Sequence, residues 1–227
     1  PELSGQEYQT TAFLKDRLEG LGIHVLESGL KTGLIAEIGT GHPVVALRAD
    51  IDALPIVEQT GLPYQSQNPG VMHACGHDFH QTSLLGAAAL LKEKEDQLDG
   101  TVRLIFQPAE EISEGATEVL ATGLLEDVQG IIGFHNMPQL KAGQLALNAG
   151  AMMAGVEKFK VTVTGVSSHA ARPDLGADTV TAVTTMVQNL QLLISLTVSP
   201  FETAVLSITH LDVGSTWNVL PKSGYFE

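Results

Sequence analysis

Three apolar runs of strand length each end on residues that bind cations or move protons. Val44 to Leu47 passes into Arg48-Ala49-Asp50-Ile51-Asp52, Thr101 to Phe106 into Gln107-Pro108-Ala109-Glu110-Glu111, and Gly130 to Phe134 into His135. Helical patterns lie between the runs. Leu84, Leu85, Ala88 and Leu91 recur at helical intervals in the first gap, and a short helix reaching Leu125 fills the second. Strands alternating with helices imply βαβ units and a largely parallel sheet. In open sheets of that kind, ligands bind outside the carboxyl ends of the strands. The pattern therefore predicts an α/β fold that gathers Asp50, Asp52, Glu110, Glu111 and His135 at one sheet edge. A solvated acidic rim would explain the carboxylates, but not a histidine closing an apolar strand.

The first gap also contains His73-Ala74-Cys75-Gly76-His77-Asp78-Phe79-His80, with three of the eight histidines and the only cysteine. Cys75 and His77 are two apart, so in extended backbone both project to one face and reach one ion, while Gly76 permits a tight turn. The plain alternative makes Cys75 a small buried apolar residue and the histidines caps of the following helix. The strand-end pattern favours the metal reading. Cys75, His77, Glu111 and His135 offer thiolate, imidazole and carboxylate, a set suited to zinc or another divalent transition metal, whereas calcium and magnesium prefer oxygen alone. Glu110, next to a ligand, is placed to take a proton from water and hand one to a leaving amine. Asp50 or Asp52 is placed to orient a ligand imidazole, with a loop or helix-cap role as the alternative. A Cys–His nucleophile pair built on Cys75 would leave Glu110, Glu111 and His135 without a role. HExxH, Walker A, GxSxG and PCxxC signatures are all missing.

Elsewhere, Ser4-Gly5-Gln6-Glu7 has capping-box spacing ahead of an opening helix with Phe13, Leu14, Leu18 and Leu21, and His24 to Leu26 and Leu34 to Ile38 read as strands. Asp78 is placed to cap the helix after the cysteine. Lys141 to Leu147 reads as a further strand, and Gly150 to Gly155 as a hinge. A second unit then carries a strand at Val156 to Gly165, a helix from about Asp174 to Leu196, and strands at Ala204 to Leu211 and after Val219. That order is half of a ferredoxin-like split βαβ module. The expected division is 1–153 and 154–227.

With 12 basic against 26 acidic side chains, the formal charge of −14 argues against nucleic acid or an anionic membrane surface as a partner. A single cysteine excludes an intrachain disulfide and fits a reducing compartment, so a cytoplasmic location is expected. No apolar run reaches the roughly 18–20 residues needed to span a bilayer. No signal peptide is visible, and a start at Pro1 with a stop inside a strand reads as a fragment.

RADIDALP (Arg48 to Pro55), GVMHACGHDFH (Gly70 to His80), GTVRLIFQPAEE (Gly100 to Glu111), GFHNMP (Gly133 to Pro138), SSHAARPDLGAD (Ser167 to Asp178) and NVLP (Asn218 to Pro221) occur in one order. Together they resemble the amidohydrolase branch of the aminoacylase and carboxypeptidase-type metallopeptidases, which includes hippurate hydrolases, auxin-conjugate hydrolases and N-acetyldiaminopimelate deacetylases. The resemblance implies a mostly parallel-sheet, zinc-peptidase-like catalytic domain with an inserted, here incomplete, ferredoxin-like α+β lid that also mediates homodimerisation. It implies two divalent metal ions, Zn, Mn, Co or Ni, with Cys75 bridging them and His77, Glu111 and His135 completing part of the shell. Glu110 matches the family's general base. His169 matches a lid histidine that reaches into the partner subunit's site to polarise the scissile carbonyl, and Asn218 matches a substrate-binding residue. From the residues alone, His169 reads as a turn histidine among serines and a proline.

The family continues past this point to a last histidine ligand, for which His210 is a poor substitute, so a partial member is expected. The expected activity is metal-dependent hydrolysis of the amide bond of N-acyl amino acids or small N-acyl conjugates. The alternatives are a dipeptidase or carboxypeptidase of the same family, or a non-catalytic dimerising or metal-binding fragment.

Overall fold

The chain folds as two units, Pro1–Leu145 and Ala146–Glu227, in a computed structural model that describes residues 1–227. The first contains α1 (Tyr8–Gly20), β1 (His24–Val25), β2 (Leu34–Thr40), β3 (Val44–Asp50), α2 (His77–Lys92), β4 (Gly100–Gln107), α3 (Gly115–Ala121) and β5 (Val128–Gly133). Its sheet has the order β1-β2-β4-β3-β5. The three strands that end on acidic or histidine residues, β4, β3 and β5, run parallel, while β2 and β1 extend the sheet antiparallel on one side. Register brings the ends level: Asp50 lies opposite Gln107, and Arg48 opposite both Ile105 and Gly133.

Both faces of the central strand are covered. Leu104 and Phe106 pack with Leu14, Leu18, Ile38, Leu84 and Ala88 under α1 and α2, while Ile105 packs with Ile35, Ala46 and Val119 on the α3 side. A continuous buried run is what a parallel strand between two layers requires. Each such Leu, Ile or Phe contributes about 1.5–3 kcal/mol.

Three local expectations are corrected. The capping box does not form: α1 starts at Tyr8, Ser4 Oγ instead donates to Asp52 Oδ2 at 2.7 Å, and Glu7 turns away to the Gly5 and Ala109 amides. α2 is entered through Gly76 at φ 85°, a left-handed conformation that suits glycine, so Asp78 falls inside the first turn and accepts from Phe79 N–H. Residues 141–147 form no strand. Leu145 and Leu147 are exposed and no neighbouring strand supplies ladder hydrogen bonds to them.

The second unit contains β6 (Val161–Thr164), β7 (Ser168–His169), α4 (Thr179–Thr197), β8 (Leu211–Val213), β9 (Val219–Leu220) and β10 (Ser223–Phe226). β6, β10 and β8 form an antiparallel sheet in that order, and β7 and β9 a two-stranded ribbon. α4 starts later than expected because Asp178 caps it, accepting from Thr181 N–H at 3.1 Å and Thr181 Oγ at 2.6 Å. Residues 204–210 are not strand: β8 begins only at Leu211, and ahead of it Thr209 and His210 make backbone hydrogen bonds to Glu227 alone. By length and mean hydropathy α4 is long and apolar enough to cross a membrane, which corrects the expectation of no such segment. Three valines, four leucines and one isoleucine carry that average between threonines and amides. The same composition serves a helix packed on a sheet, as α4 is against β10 and β6.

Candidate metal centre

His77, the first residue of α2, is almost fully buried and sits where the three strand ends meet. Its Nδ1 lies 3.2 Å from Asp52 Oδ1. Its Nε2 faces Asp50 Oδ2 and Glu111 Oε1 at 3.7 Å each and Glu110 Oε2 at 3.9 Å. On the other side Cys75 Sγ is 3.3 Å from His135 Nε2. The donor atoms fall into three groups within 4.8 Å of one another: Cys75, His77 and His135; His77, Glu110 and Glu111; and Asp50, His77 and His80. His77 belongs to all three.

The arrangement fits a cation. His77 Nε2 and Glu111 Oε1 are both buried, have no hydrogen-bond partner and face each other. Leaving such atoms unsatisfied costs about 1–3 kcal/mol each, and more if charged. A divalent ion among a thiolate, two imidazoles and a carboxylate would satisfy them, and that donor set suits zinc-like metals.

Behind these atoms a hydrogen-bonded frame fixes the rings. Burial alone would raise Asp52. Hydrogen bonds from His77, Ser4 Oγ and the Glu111 N–H, the last at 3.0 Å, hold its carboxyl down to about 2 instead. Asp50 is likewise kept below the usual carboxylate range against burial, by His80 Nδ1 at 2.6 Å and Arg48 Nη1 at 2.7 Å. Arg48 Nε in turn donates to Gln107 Oε1 at 2.9 Å, tying β3 to β4. His80 Nε2 meets Asn136, with Oδ1 at 2.6 Å and the backbone N at 3.0 Å. A Cβ on Gly76 would lie 2.5 Å from that Asn136 side chain, so glycine there allows the close approach of the segment after β5.

Electrostatics follow from the crowding of carboxylates. Burial and the nearby Glu111 push the Cys75 thiol up to about 12, with Glu110 and Asp50 adding to the effect. Burial, Glu111 and Asp50 raise Glu110. His77 is raised against burial by its bond to Asp52 and by the Asp50 charge. A bound cation reverses this logic and favours thiolate and neutral imidazole. The two glutamates also differ in access: Glu110's side chain is 40% exposed, whereas Glu111's is 19% exposed and turned to His77.

The structure thus brings together Cys75, His77, Glu110, Glu111, His135, Asp50 and Asp52. His169 and Asn218 lie in the second unit, beside each other. β7 pairs with β9, Ala170 N–H donates to Asn218 C=O at 3.0 Å, and Asn218 Oδ1 accepts from Thr216 Oγ at 3.1 Å. His169 is exposed, with Nδ1 accepting from Ala171 N–H. His210 stacks on Tyr225 in the second unit and belongs to none of the three donor groups. Sequence reasoning missed His80, Asn136, Arg48 and Gln107. The signal for His80 was its i, i+3 spacing from His77 on one helical face.

The chain is 48% identical over its whole length to an N-acetyl-L-cysteine deacetylase of Bacillus subtilis, of which it covers 55%. It is 44% identical to an IAA-amino acid hydrolase of Arabidopsis thaliana, with 98% of this chain and 52% of that protein aligned. A solved dinuclear metal binding peptidase of Bacillus subtilis superposes with a TM-score of 0.76 at 43% identity, over 100% of this chain and 58% of that one. The chain therefore spans little more than half the length of these relatives. The fold and the strand-end cluster agree with the remaining comparison: residues 46–212 match the profile of peptidase family M20/M25/M40, and the chain belongs to that family.

Proposed function

We propose that the protein carrying this chain hydrolyses the amide bond of N-acyl amino acids or related small N-acyl conjugates, releasing a carboxylic acid and an amino acid. The observation that carries this reading is the Glu110–Glu111 pair at the end of β4, one carboxylate open to water and the other turned toward His77. The relatives named N-acetyl-L-cysteine deacetylase and IAA-amino acid hydrolase support it.

In this reading Cys75, His77, Glu111 and His135 would hold two divalent ions. Such ions activate water and polarise a carbonyl. Glu110, the more open of the two glutamates, accepts the water's proton and delivers one to the departing amine. Asp52 fixes the ring of His77, and Asp50 fixes His80 behind it. His169 donates to the substrate carbonyl from the lid of a second copy, and Asn218 beside it contacts the substrate. The assembly is a homodimer through the lid, located in the cytoplasm.

The test is a panel of N-acyl amino acids beside dipeptides, given to the full-length protein and to Glu110→Gln. N-acyl substrates should be turned over in preference, and the variant should keep its metal while losing about 100-fold or more in turnover. Turnover retained in the variant would remove Glu110 from its role, and hydrolysis of dipeptides alone would reassign the substrate.

A further inference from the structure

We propose that Glu7 is a positioning residue for the metal centre: from the start of α1 its carboxylate grips the Ala109 peptide and thereby sets the directions of Glu110 and Glu111. The inference rests on the proposed roles of those two carboxylates.

Glu7 is 0% exposed, an environment that a glutamate seldom occupies. Its hydrogen-bond partners are two backbone N–H groups. Oε1 accepts from Gly5 at 3.0 Å and, across 102 residues of sequence, from Ala109 at 2.8 Å. Oε2 is buried with no partner. A carboxylate with one oxygen orphaned is a poor way to stabilise a core, since an apolar side chain would avoid the desolvation. What it supplies that an apolar residue cannot is an acceptor for Ala109.

Ala109 needs one. Its φ of 49° is left-handed, a conformation that costs a non-glycine residue roughly 1–2 kcal/mol and persists only where the surroundings impose it. The surroundings are a two-sided grip. Glu7 holds the Ala109 N–H, while the Ala109 carbonyl accepts from Glu114 N–H at 3.3 Å and Gly115 N–H at 3.1 Å. Gly115 must lack a side chain, since a Cβ there would lie 1.6 Å from the Pro108 carbonyl oxygen. The backbone reversal at Ala109 interrupts the strand's alternation immediately before the two glutamates and lets Glu111 N–H reach Asp52 and Glu111 Oε1 face His77. The same N-terminal turn places Ser4 Oγ on Asp52, so it braces two of the three strand ends.

The test uses the full-length protein with Glu7→Ala, Glu7→Asp and Glu7→Gln. Aspartate keeps the charge but is one methylene too short to span the contact to Ala109, and glutamine keeps the acceptor. Glu7→Ala should lower zinc affinity about 10-fold or more, the range for groups that orient ligands. It should also lower kcat about 10-fold with KM changed less than about threefold, and hydrogen exchange at the Ala109 amide should speed up by a similar factor. Glu7→Gln should recover most of each loss. If Glu7→Ala does not fold, Glu7→Asp decides on the same readouts. Wild-type zinc affinity, kcat and Ala109 exchange in Glu7→Asp or a folded Glu7→Ala, whatever their melting temperature, overturn the proposal. Failure of the wild-type protein to cleave any N-acyl amino acid would sink the proposed activity, while zinc affinity and exchange would still decide on Glu7.

Discussion

Replacing Asp52 with asparagine should destabilise the metal-free protein by about 2 kcal/mol, and the penalty should depend on pH in a defined direction. Burial pushes the Asp52 carboxyl up, yet donors from His77, Ser4 and Glu111 bring it to about 2 against an ordinary 3.8. Nearly two pK units at about 1.4 kcal/mol each give a little over 2 kcal/mol. A depressed carboxylate contributes stability that is present above its unfolded pKa and lost as pH falls through the folded one. His77 is raised, so its share is present below its ordinary 6.5 and lost as pH rises through the raised value. The contact between them enters both shifts and counts once. The gap between wild type and Asp52→Asn should therefore be widest between about pH 4 and 6.5, and fall to roughly half by pH 3. Urea unfolding followed by circular dichroism reads it as a midpoint shift of about 1 M for a slope near 2 kcal/mol/M. Fluorescence would not serve, because the single tryptophan, Trp217, is 91% exposed in the second unit. A gap under about 0.5 kcal/mol, or one unchanged between pH 3 and 6, would refute the assignment of Asp52 as the partner of His77.

Gly76→Ala combines a left-handed conformation, worth about 1–2 kcal/mol, with a Cβ only 2.5 Å from the Asn136 side chain; melting should drop by about 2–8 °C. An unchanged Tm would show that the entry to α2 tolerates a side chain there. With its thiol pushed from 9.0 up to about 12, metal-free Cys75 should be alkylated by iodoacetamide at pH 8 at least about 100-fold more slowly than in urea. Equal rates would refute the burial and carboxylate field ascribed to it.

The positions of Asp50, Asp52, Glu110, Glu111 and His135 were readable because parallel strands between two layers are continuous apolar runs, and the residues just past such a run must lie at the sheet's edge. The tight turn at Gly76 was readable for a similarly local reason. The partners were not. That His80 serves Asp50 and Asn136 depends on register between β3, α2 and the segment after β5, which spacing alone does not encode. Ser4 and Glu7 match a local capping motif, but tertiary acceptors and donors at Asp52 and Ala109 compete for them and win. Lys141 to Leu147 has strand-like composition without a strand beside it, and propensity without a ladder does not make a strand.

The span of the contacts at the metal centre bears on the order of events during folding. Asp50 and His80 are 30 residues apart, Cys75 and His135 are 60, and Glu7 and Ala109 are 102. None of these pairs forms by local collapse, and each must wait for a long loop to close. His135 joins Cys75 and His77 only once β5 has docked on β3, whereas the groups built on Asp50 and His80 and on Glu110 and Glu111 draw on β3, α2 and the end of β4 alone. The complete donor set is therefore a product of long-range closure, and the group with Cys75 is the one that depends on the arrival of β5.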